Sequence, residues 1–204
     1  MHCRFFKIII LLGFSLLFTT RTVCAQALLD STGLEEAFTY FDLAEALKNP
    51  EQVVKLELRK KKYKEFPKEI FQFKNLQYLD IGKNQIKELP DSICVFRNLQ
   101  HLNVSRNKLT VLPKEIGKLG NLIYLCANNN ELISLPPQIG NLSKLQVIDV
   151  WSNEFSDYPE TLSELKNLKT FDVRATMITP ENIALLQRLM PQAYVHYDLP
   201  CNCK

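Results

Sequence analysis

Apolar residues recur at a fixed period through most of the chain. The repeating blocks are 23 residues long and begin at Val53, Leu76, Leu99, Leu122, Leu145 and Leu168. Apolar residues fill the first, fourth and sixth positions of each block, as Leu76, Leu79 and Ile81 do in the second. Apolar and polar residues alternate around the fourth and sixth positions, which is the period of a β-strand. Each block therefore predicts one short strand.

The second half of each block predicts a turn followed by a short helical or extended segment. The four central blocks have an asparagine at their ninth position, namely Asn84, Asn107, Asn130 and Asn153. A buried asparagine amide can bond the main-chain groups that a turn leaves unpaired. The residue pairs Leu89-Pro90, Leu112-Pro113, Leu135-Pro136 and Tyr158-Pro159 follow. Proline limits this part of the block to extended or one-turn structure.

The frame L-x-x-L-x-L-x-x-N followed by Leu-Pro-x-x-Ile resembles the leucine-rich repeat. It is similar to the 23-residue class of bacterial proteins and of Ras-associated scaffolds, and the resemblance covers about residues 42–198. The resemblance implies a right-handed α/β solenoid of six repeats, with a parallel sheet on its concave face. Stacking is required because one strand cannot bury its apolar face alone. The same repeat serves unrelated ligands, so the fold does not name the partner.

Both ends of the repeat array depart from the frame, as capping segments do. Asp42 and Glu45 form a capping box, which predicts a short helix over the first repeat. Residues 181–189 have a helical pattern, and the alternation of residues 193–198 predicts a last strand. The predicted organisation is a signal peptide at 1–25, a loose leader and cap helix at 26–52, six repeats at 53–190, and a C-terminal strand with a cysteine-containing tail at 191–204.

Residues 1–25 have the order of an export signal. Arg4 and Lys7 precede an apolar run at residues 8–18, and small residues lead up to Ala25. The run is shorter than the roughly 20 residues that a membrane span requires. We therefore expect cleavage after Ala25 and a secreted or periplasmic protein without a stable membrane span. The alternatives are an uncleaved anchor, lipidation at Cys24, or an intracellular Ras-type scaffold.

Cleavage changes the charge balance of the chain. The segment holds three of the 25 basic residues and none of the 22 acidic ones, so the remainder is formally neutral. A nucleic-acid partner would require a basic face, which this balance does not favour.

Outward-facing strand positions should align in columns across the concave face. Tyr78, His101 and Tyr124 follow one another in the first column, and Trp151 lies on the same face. Aromatic rings beside hydrogen-bonding groups are typical of binding hot spots. The predicted partner-binding residues are Tyr78, Asp80, His101, Asn103, Tyr124, Asp149 and Trp151. The alternative is that the rings only stabilise neighbouring strands through cross-strand packing.

Two chemical functions compete with simple binding. Cys126, His101 and Asp80 lie on successive strands and could form a nucleophile, a base and an orienting acid. An open sheet offers no evident oxyanion hole, so the prediction is a non-catalytic protein without a cofactor. Cys201 and Cys203 lack the usual spacing of a zinc site, and we predict no metal.

The cysteines of the exported chain would be Cys94, Cys126, Cys201 and Cys203. Cys94 and Cys126 should lie on opposite faces and not pair with each other. The tail cysteines are expected to pair locally, to pair with a partner chain, or to remain free.

The sequence thus predicts an exported protein-binding module that acts through its concave face. A glycan-binding protein and a purely structural envelope protein are the alternatives.

Overall fold

A computed structural model describes residues 27–198 of the chain. The predicted signal peptide, including Cys24, lies outside the described residues, and so does the tail with Cys201 and Cys203.

The described residues form one open sheet of eight parallel strands in chain order. The strands are β1 (Thr39–Tyr40), β2 (Lys55–Glu57), β3 (Tyr78–Asp80), β4 (His101–Asn103), β5 (Tyr124–Cys126), β6 (Val147–Asp149), β7 (Thr170–Asp172) and β8 (Tyr194–His196). From β2 to β7 each residue pairs with the one 23 positions later, as Tyr78 does with His101. This register confirms the predicted columns and the α/β solenoid.

Short 3₁₀ helices form the opposite, convex side of the solenoid. Their bounds are Pro50–Gln52, Lys68–Gln72, Asp91–Val95, Lys114–Lys118, Pro137–Asn141 and Glu160–Glu164. All but the first begin directly after the proline of their repeat, which supplies an extended residue at the helix start. Between the two sides, the inward-facing Leu79, Leu102 and Leu125 are fully buried and belong to one continuous apolar core.

A ladder of asparagines stabilises the turns that follow β3, β4, β5 and β6. The Nδ2 atom of Asn107 donates to the carbonyl oxygens of Val104 at 2.9 Å and Ile81 at 3.1 Å. Its Oδ1 atom accepts from the amide nitrogen of Ile86 at 3.0 Å. The residue before it, Arg106, has a φ of 54°, in the left-handed region that L-residues rarely adopt. This turn places Asn107 beneath the strands, where its side-chain amide bonds the main chain of two adjacent repeats.

Helices and a strand close the two ends of the core. At the N-terminal end, α2 (Leu43–Ala46) is capped by Asp42, whose side chain accepts from the amides of residues 44 and 45. At the C-terminal end, α3 (Pro180–Leu189) is capped by Thr179 and buries Leu186. Strand β8 then pairs with β7. These elements confirm the predicted capping helix and the helix-strand cap.

The expectation of a loose leader was wrong. Residues 27–36 contain a short helix, α1 (Ser31–Glu36), and Asp30 caps it by accepting from the Gly33 amide at 2.7 Å. Strand β1, which the sequence pattern did not predict, then pairs with β2. The leader is ordered by contacts with residues far along the chain, which no local pattern could reveal.

Candidate functional site

Three rings on the concave face form a continuous stack. The ring centroids of Tyr78 and His101 are 5.7 Å apart, and so are those of His101 and Tyr124. Parallel strands in register place equivalent side chains about 4.8 Å apart, which brings the rings face to face. The ammonium group of Lys55 lies 5.1 Å from the Tyr78 ring centroid and covers the free end of the stack. We call Tyr78, His101 and Tyr124 the aromatic row.

The aromatic row carries no charge at neutral pH. Burial, followed by the nearby Asp80 carboxylate, raises the pKa of Tyr78 to about 12. Burial also raises the pKa of Tyr124 and, with help from Lys55, lowers the pKa of His101. Both phenols and the imidazole are therefore neutral, which lowers the desolvation cost of covering the row with a partner.

Asp80 is buried beneath the face rather than presented on it. Only 1% of the residue is exposed. Its Oδ2 atom accepts from Arg59 at 2.8 Å and from Asn103 Nδ2 at 2.9 Å, and its Oδ1 atom accepts from the Gly82 amide at 2.8 Å. With its oxygens occupied in this way, Asp80 positions Arg59 and Asn103, which are more exposed.

Asp149 lies in the same column but in a different electrostatic setting. Its Oδ2 atom accepts from Asn128 Nδ2 at 2.6 Å. Asp172, on the next strand, forms a 2.6 Å ion pair with Arg174, which lies two residues later. Asp149 has no cation at the equivalent position, because the residue two positions after it is Trp151. Burial raises the pKa of Asp149, which is half-buried. The described side-chain donors to the Asp149 carboxylate, Cys126 and Asn128, are therefore neutral.

The predicted site residues fall into two groups. The aromatic row lies at the start of the strands, and Asn103 lies one column further along. Trp151 lies beyond the end of β6, at the other end of the strands, where it neighbours the Asp149 group. A partner that contacts both groups must cover the sheet along the full length of its strands.

The thiol of Cys126 lies between the two groups and is 5% exposed. Its Sγ atom accepts from Asn128 Nδ2 at 3.1 Å and lies 3.5 Å from Asp149 Oδ2. Burial, then the negative charge of Asp149, raises the pKa of the Cys126 thiol to about 12. A nucleophilic cysteine needs a lowered pKa. The environment of Cys126 therefore disfavours the Cys126–His101 nucleophile considered from the sequence.

Cys126 should react with alkylating agents much more slowly than Cys94. With a pKa of about 12, only about one Cys126 thiol in 10,000 is ionised at pH 8. We expect alkylation by iodoacetamide at pH 8 to be at least about 100-fold slower at Cys126 than at the half-buried Cys94. Peptide mass mapping over time measures each site separately. Equal rates in the folded protein would contradict this account, and equal rates in urea are the control.

The sequence pattern did not reveal one group of residues beside the site. Helix α1 stands next to the aromatic row and encloses with it a cavity of about 280 Å³. Its lining residues are Ser31, Leu34, Glu35, Lys55, Tyr78 and His101. Gln77 and Gln100 bond the segment that precedes α1. The sign of this contact in the sequence was a glutamine at the second position of two successive blocks, Gln77 and Gln100.

Residues 27–198 show neither a metal-binding cluster nor a membrane-spanning helix. Within that range, no group of three or more His, Cys, Asp or Glu side chains is placed to hold a metal ion. Over the same range, every helix is too short or too polar to cross a bilayer.

Register-matched parallel strands, convex 3₁₀ helices and an asparagine at the four central turns define an open repeat solenoid. The family model described as a leucine-rich repeat region matches residues 46–130. The described residues have the leucine-rich repeat fold. No curated protein matches its sequence at a significant level.

Solved structures with the same fold come from bacteria and plants. A leucine-rich repeat protein of Leptospira interrogans is 31% identical with a TM-score of 0.63, and the match covers 78% of this chain and 46% of that one. Internalin C2 of Listeria monocytogenes is 26% identical with a TM-score of 0.62, covering 74% of this chain and 64% of that one.

A plant protein provides a further similar structure. The plant peptide hormone receptor RGFR1, in complex with RGF2, is 28% identical with a TM-score of 0.58; the match covers 70% of this chain and 24% of the receptor. The chain thus spans about a quarter of the receptor, about half of the Leptospira protein and just under two thirds of the internalin.

Proposed function

We propose that the chain is an exported, non-catalytic module that binds a protein partner on its concave face. The observation that carries the proposal is the aromatic row, whose rings are partly exposed on the side of the sheet that faces away from the core. Tyr78, Tyr124 and Trp151 are the proposed anchors. His101, Asn103 and Asp149 supply hydrogen-bonding groups around them, and Asp80 acts from below by positioning Asn103.

The rigidity of the sheet supports this proposal. Each ring is held between hydrogen-bonded strands and by its neighbours in the stack, so little side-chain freedom remains to be lost on binding. Aromatic side chains that are already ordered are the residue type most enriched in binding hot spots. The fold is also that of a plant receptor solved in complex with RGF2, which supports an interaction role. Export rests on the pattern of residues 1–25.

Ring geometry favours a protein partner over a glycan. A sugar that packs on aromatic side chains needs an open ring face. Both faces of His101 are flanked by tyrosine rings, and Lys55 covers the outer face of Tyr78. The row therefore presents ring edges and polar atoms, which suit the mixed surface of a protein.

Removing the proposed anchors should abolish partner capture. The variant carries Tyr78→Ala, Tyr124→Ala and Trp151→Ala, and the readout is quantitative affinity capture from cell envelope and culture medium. We expect at least about tenfold less captured partner than with the wild-type protein, because truncating a few anchors removes most of the binding energy.

The matched control removes three exposed apolar side chains elsewhere, with Val111→Ala, Ile133→Ala and Met177→Ala. Capture by the control should equal that of the wild type, and both variants are compared at equal thermal stability. Equal capture by the anchor variant would contradict the concave site. Elution by soluble sugars would favour the glycan alternative.

A further inference from the structure

The side-chain amide of Gln77 pairs with the main chain of residues 27–29. The Leu29 amide nitrogen donates to Gln77 Oε1 at 2.8 Å, and Gln77 Nε2 donates to the Ala27 carbonyl oxygen at 3.3 Å. In a parallel sheet, the main chain of one residue bonds in the same way to the two residues that flank its partner. The Gln77 side chain thus holds an extended peptide as a neighbouring strand would.

Gln100 extends this arrangement to a second strand. Its Nε2 atom donates to the Leu29 carbonyl oxygen and to Gln77 Oε1, both at 2.9 Å. Gln77 is fully buried and Gln100 is 5% exposed. Buried amides are costly when unpaired, so another peptide that covers the two side chains in place of this segment must offer equivalent hydrogen bonds. We call Gln77 and Gln100 the glutamine seat.

The glutamine seat bonds the main chain of residues 27 and 29. The side chain of the residue between them, Leu28, remains outside the seat. All three bonds go to amide or carbonyl groups of Ala27 and Leu29. The side chain of Leu28 lies 39% exposed. Recognition of this kind tolerates different sequences, provided that the peptide is extended and has a free N–H at the position that Leu29 occupies.

The occupying segment is attached to the molecule through few other contacts. Helix α1 has six residues, too few to be stable alone, and Leu34 is its one buried side chain. The Lys55 ammonium donates to the Leu34 carbonyl oxygen at the long distance of 3.5 Å. Strand β1 anchors the C-terminal side of the segment by pairing with β2, whereas the hydrogen bonds that hold residues 27–29 are those of the glutamine seat.

We propose that the glutamine seat is a binding site for an extended peptide main chain, that residues 27–29 fill it in this structure, and that a strand of the protein partner binds there by displacing them. Gln77 and Gln100 directly precede Tyr78 and His101 of the aromatic row in the chain. Residues of α1, which follows the segment in the seat, line a cavity together with Tyr78 and His101. A partner strand in the seat would thus continue onto the concave face. This step rests on the proposed function only in assuming a protein partner for that face.

A labelled peptide with the sequence of residues 27–36 tests the seat by fluorescence anisotropy. Binding to the wild-type protein should be weak, because the tethered segment competes at high effective concentration. Leu34→Asp should release the tethered segment, and we expect about tenfold tighter peptide binding to that variant. Adding Gln77→Ala and Gln100→Ala to Leu34→Asp should abolish this gain.

Two controls isolate main-chain recognition. Gln146 occupies the same position in its block as Gln77 and Gln100 but lies further along the sheet. Gln146→Ala, added to Leu34→Asp, should therefore leave peptide binding unchanged. A peptide with the Leu29→Pro change lacks the N–H that Gln77 accepts and should bind about tenfold more weakly. The proposal is overturned if Leu34→Asp gives no gain, if the gain survives loss of both glutamines, or if the proline peptide binds equally well.

Hydrogen exchange provides a readout that does not depend on Leu34→Asp. The Leu29 amide should exchange about tenfold faster in Gln77→Ala than in the wild type, with the β4 and β5 amides unchanged. Unchanged exchange at Leu29 would overturn the proposed seat. The capture experiment on the anchor variant leaves Gln77 and Gln100 intact, so failure of the seat and failure of the concave-face function are distinguishable.

Discussion

Replacement of Asn130 with alanine is expected to lower the free energy of unfolding by about 3 kcal/mol, because it leaves the buried Leu109 amide without a partner. It also removes one of the two asparagine donors to each of two buried carbonyl oxygens, those of Val104 and Ala127. Asn130 Nδ2 donates to the carbonyl oxygens of Ala127 at 2.9 Å and Val104 at 3.1 Å, and its Oδ1 atom accepts from the Leu109 amide at 3.1 Å. These groups lie in the middle of the solenoid, where water cannot easily replace the lost amide. Urea unfolding followed by circular dichroism measures the loss.

Asn121→Ala is the matched control for this experiment. Asn121 also donates from Nδ2 to a main-chain carbonyl oxygen, that of Arg97, at 2.8 Å, but this bond is exposed to water. Water can take over the carbonyl, so the control should cost about 0.5–1 kcal/mol. Equal losses for the two variants would contradict the assignment of the asparagine ladder as the main polar support of the repeats.

Gly117→Ala is expected to destabilise the fold by a similar amount, about 3 kcal/mol, through overpacking between two repeats. A Cβ atom on Gly117 would lie inside van der Waals distance of the Gln138 main-chain carbonyl oxygen. The clash is between the convex helices Lys114–Lys118 and Pro137–Asn141. Strand hydrogen bonds fix the repeat spacing on the opposite side, so relief requires the convex side to splay. Thermal and urea unfolding measure the effect.

Gly120 lies three residues further along the chain, and its replacement with alanine is expected to have the opposite effect on stability. A Cβ atom there would meet no atom within 4 Å, and the residue does not have a positive φ. Alanine should therefore stabilise the protein by about 0.5 kcal/mol, since it reduces the freedom of the unfolded chain. Destabilisation by Gly120→Ala, or tolerance of Gly117→Ala, would show that the convex packing differs from the structure described.

Both large effects arise from contacts between adjacent repeats. In a solenoid each repeat touches mainly its neighbours, so one defect opens a local interface rather than the whole core. A defect between the repeats of β4 and β5 also disturbs the register of His101 with Tyr124. We therefore expect Asn130→Ala and Gly117→Ala to be poor variants for binding studies, whereas the anchor substitutions replace only side chains on the outer face of the sheet.

The sequence predicted the repeats, the columns and the caps because these features are local and recur. Apolar positions 23 residues apart predicted strands from Val53 onward, and the register of Tyr78, His101 and Tyr124 followed from the same spacing. The asparagine and proline of the four central blocks predicted a tight turn and a short convex helix by their own chemistry. The same period, recurring in successive blocks, is the signature of the leucine-rich repeat.

The site was predicted only in outline. The sequence placed Asp80 on the concave face, but the tertiary structure decided that Arg59 and Asn103 bury it, since side chains from three strands meet there. The sequence placed Trp151 on the same face as the aromatic row, and in the structure it lies at the other end of the strands. Alternation specifies which face a side chain occupies, and it does not specify how many neighbours cover that side chain.

What the sequence determined by itself is the solenoid and the faces of its residues. What only the tertiary structure decided is the position of the leader, because Leu29 bonds Gln77 and Gln100, which lie 48 and 71 residues further along the chain. A local pattern cannot specify such contacts, since their stability depends on groups that meet only after the repeats have stacked. The two glutamines and residues 27–29 therefore come together only in the folded protein.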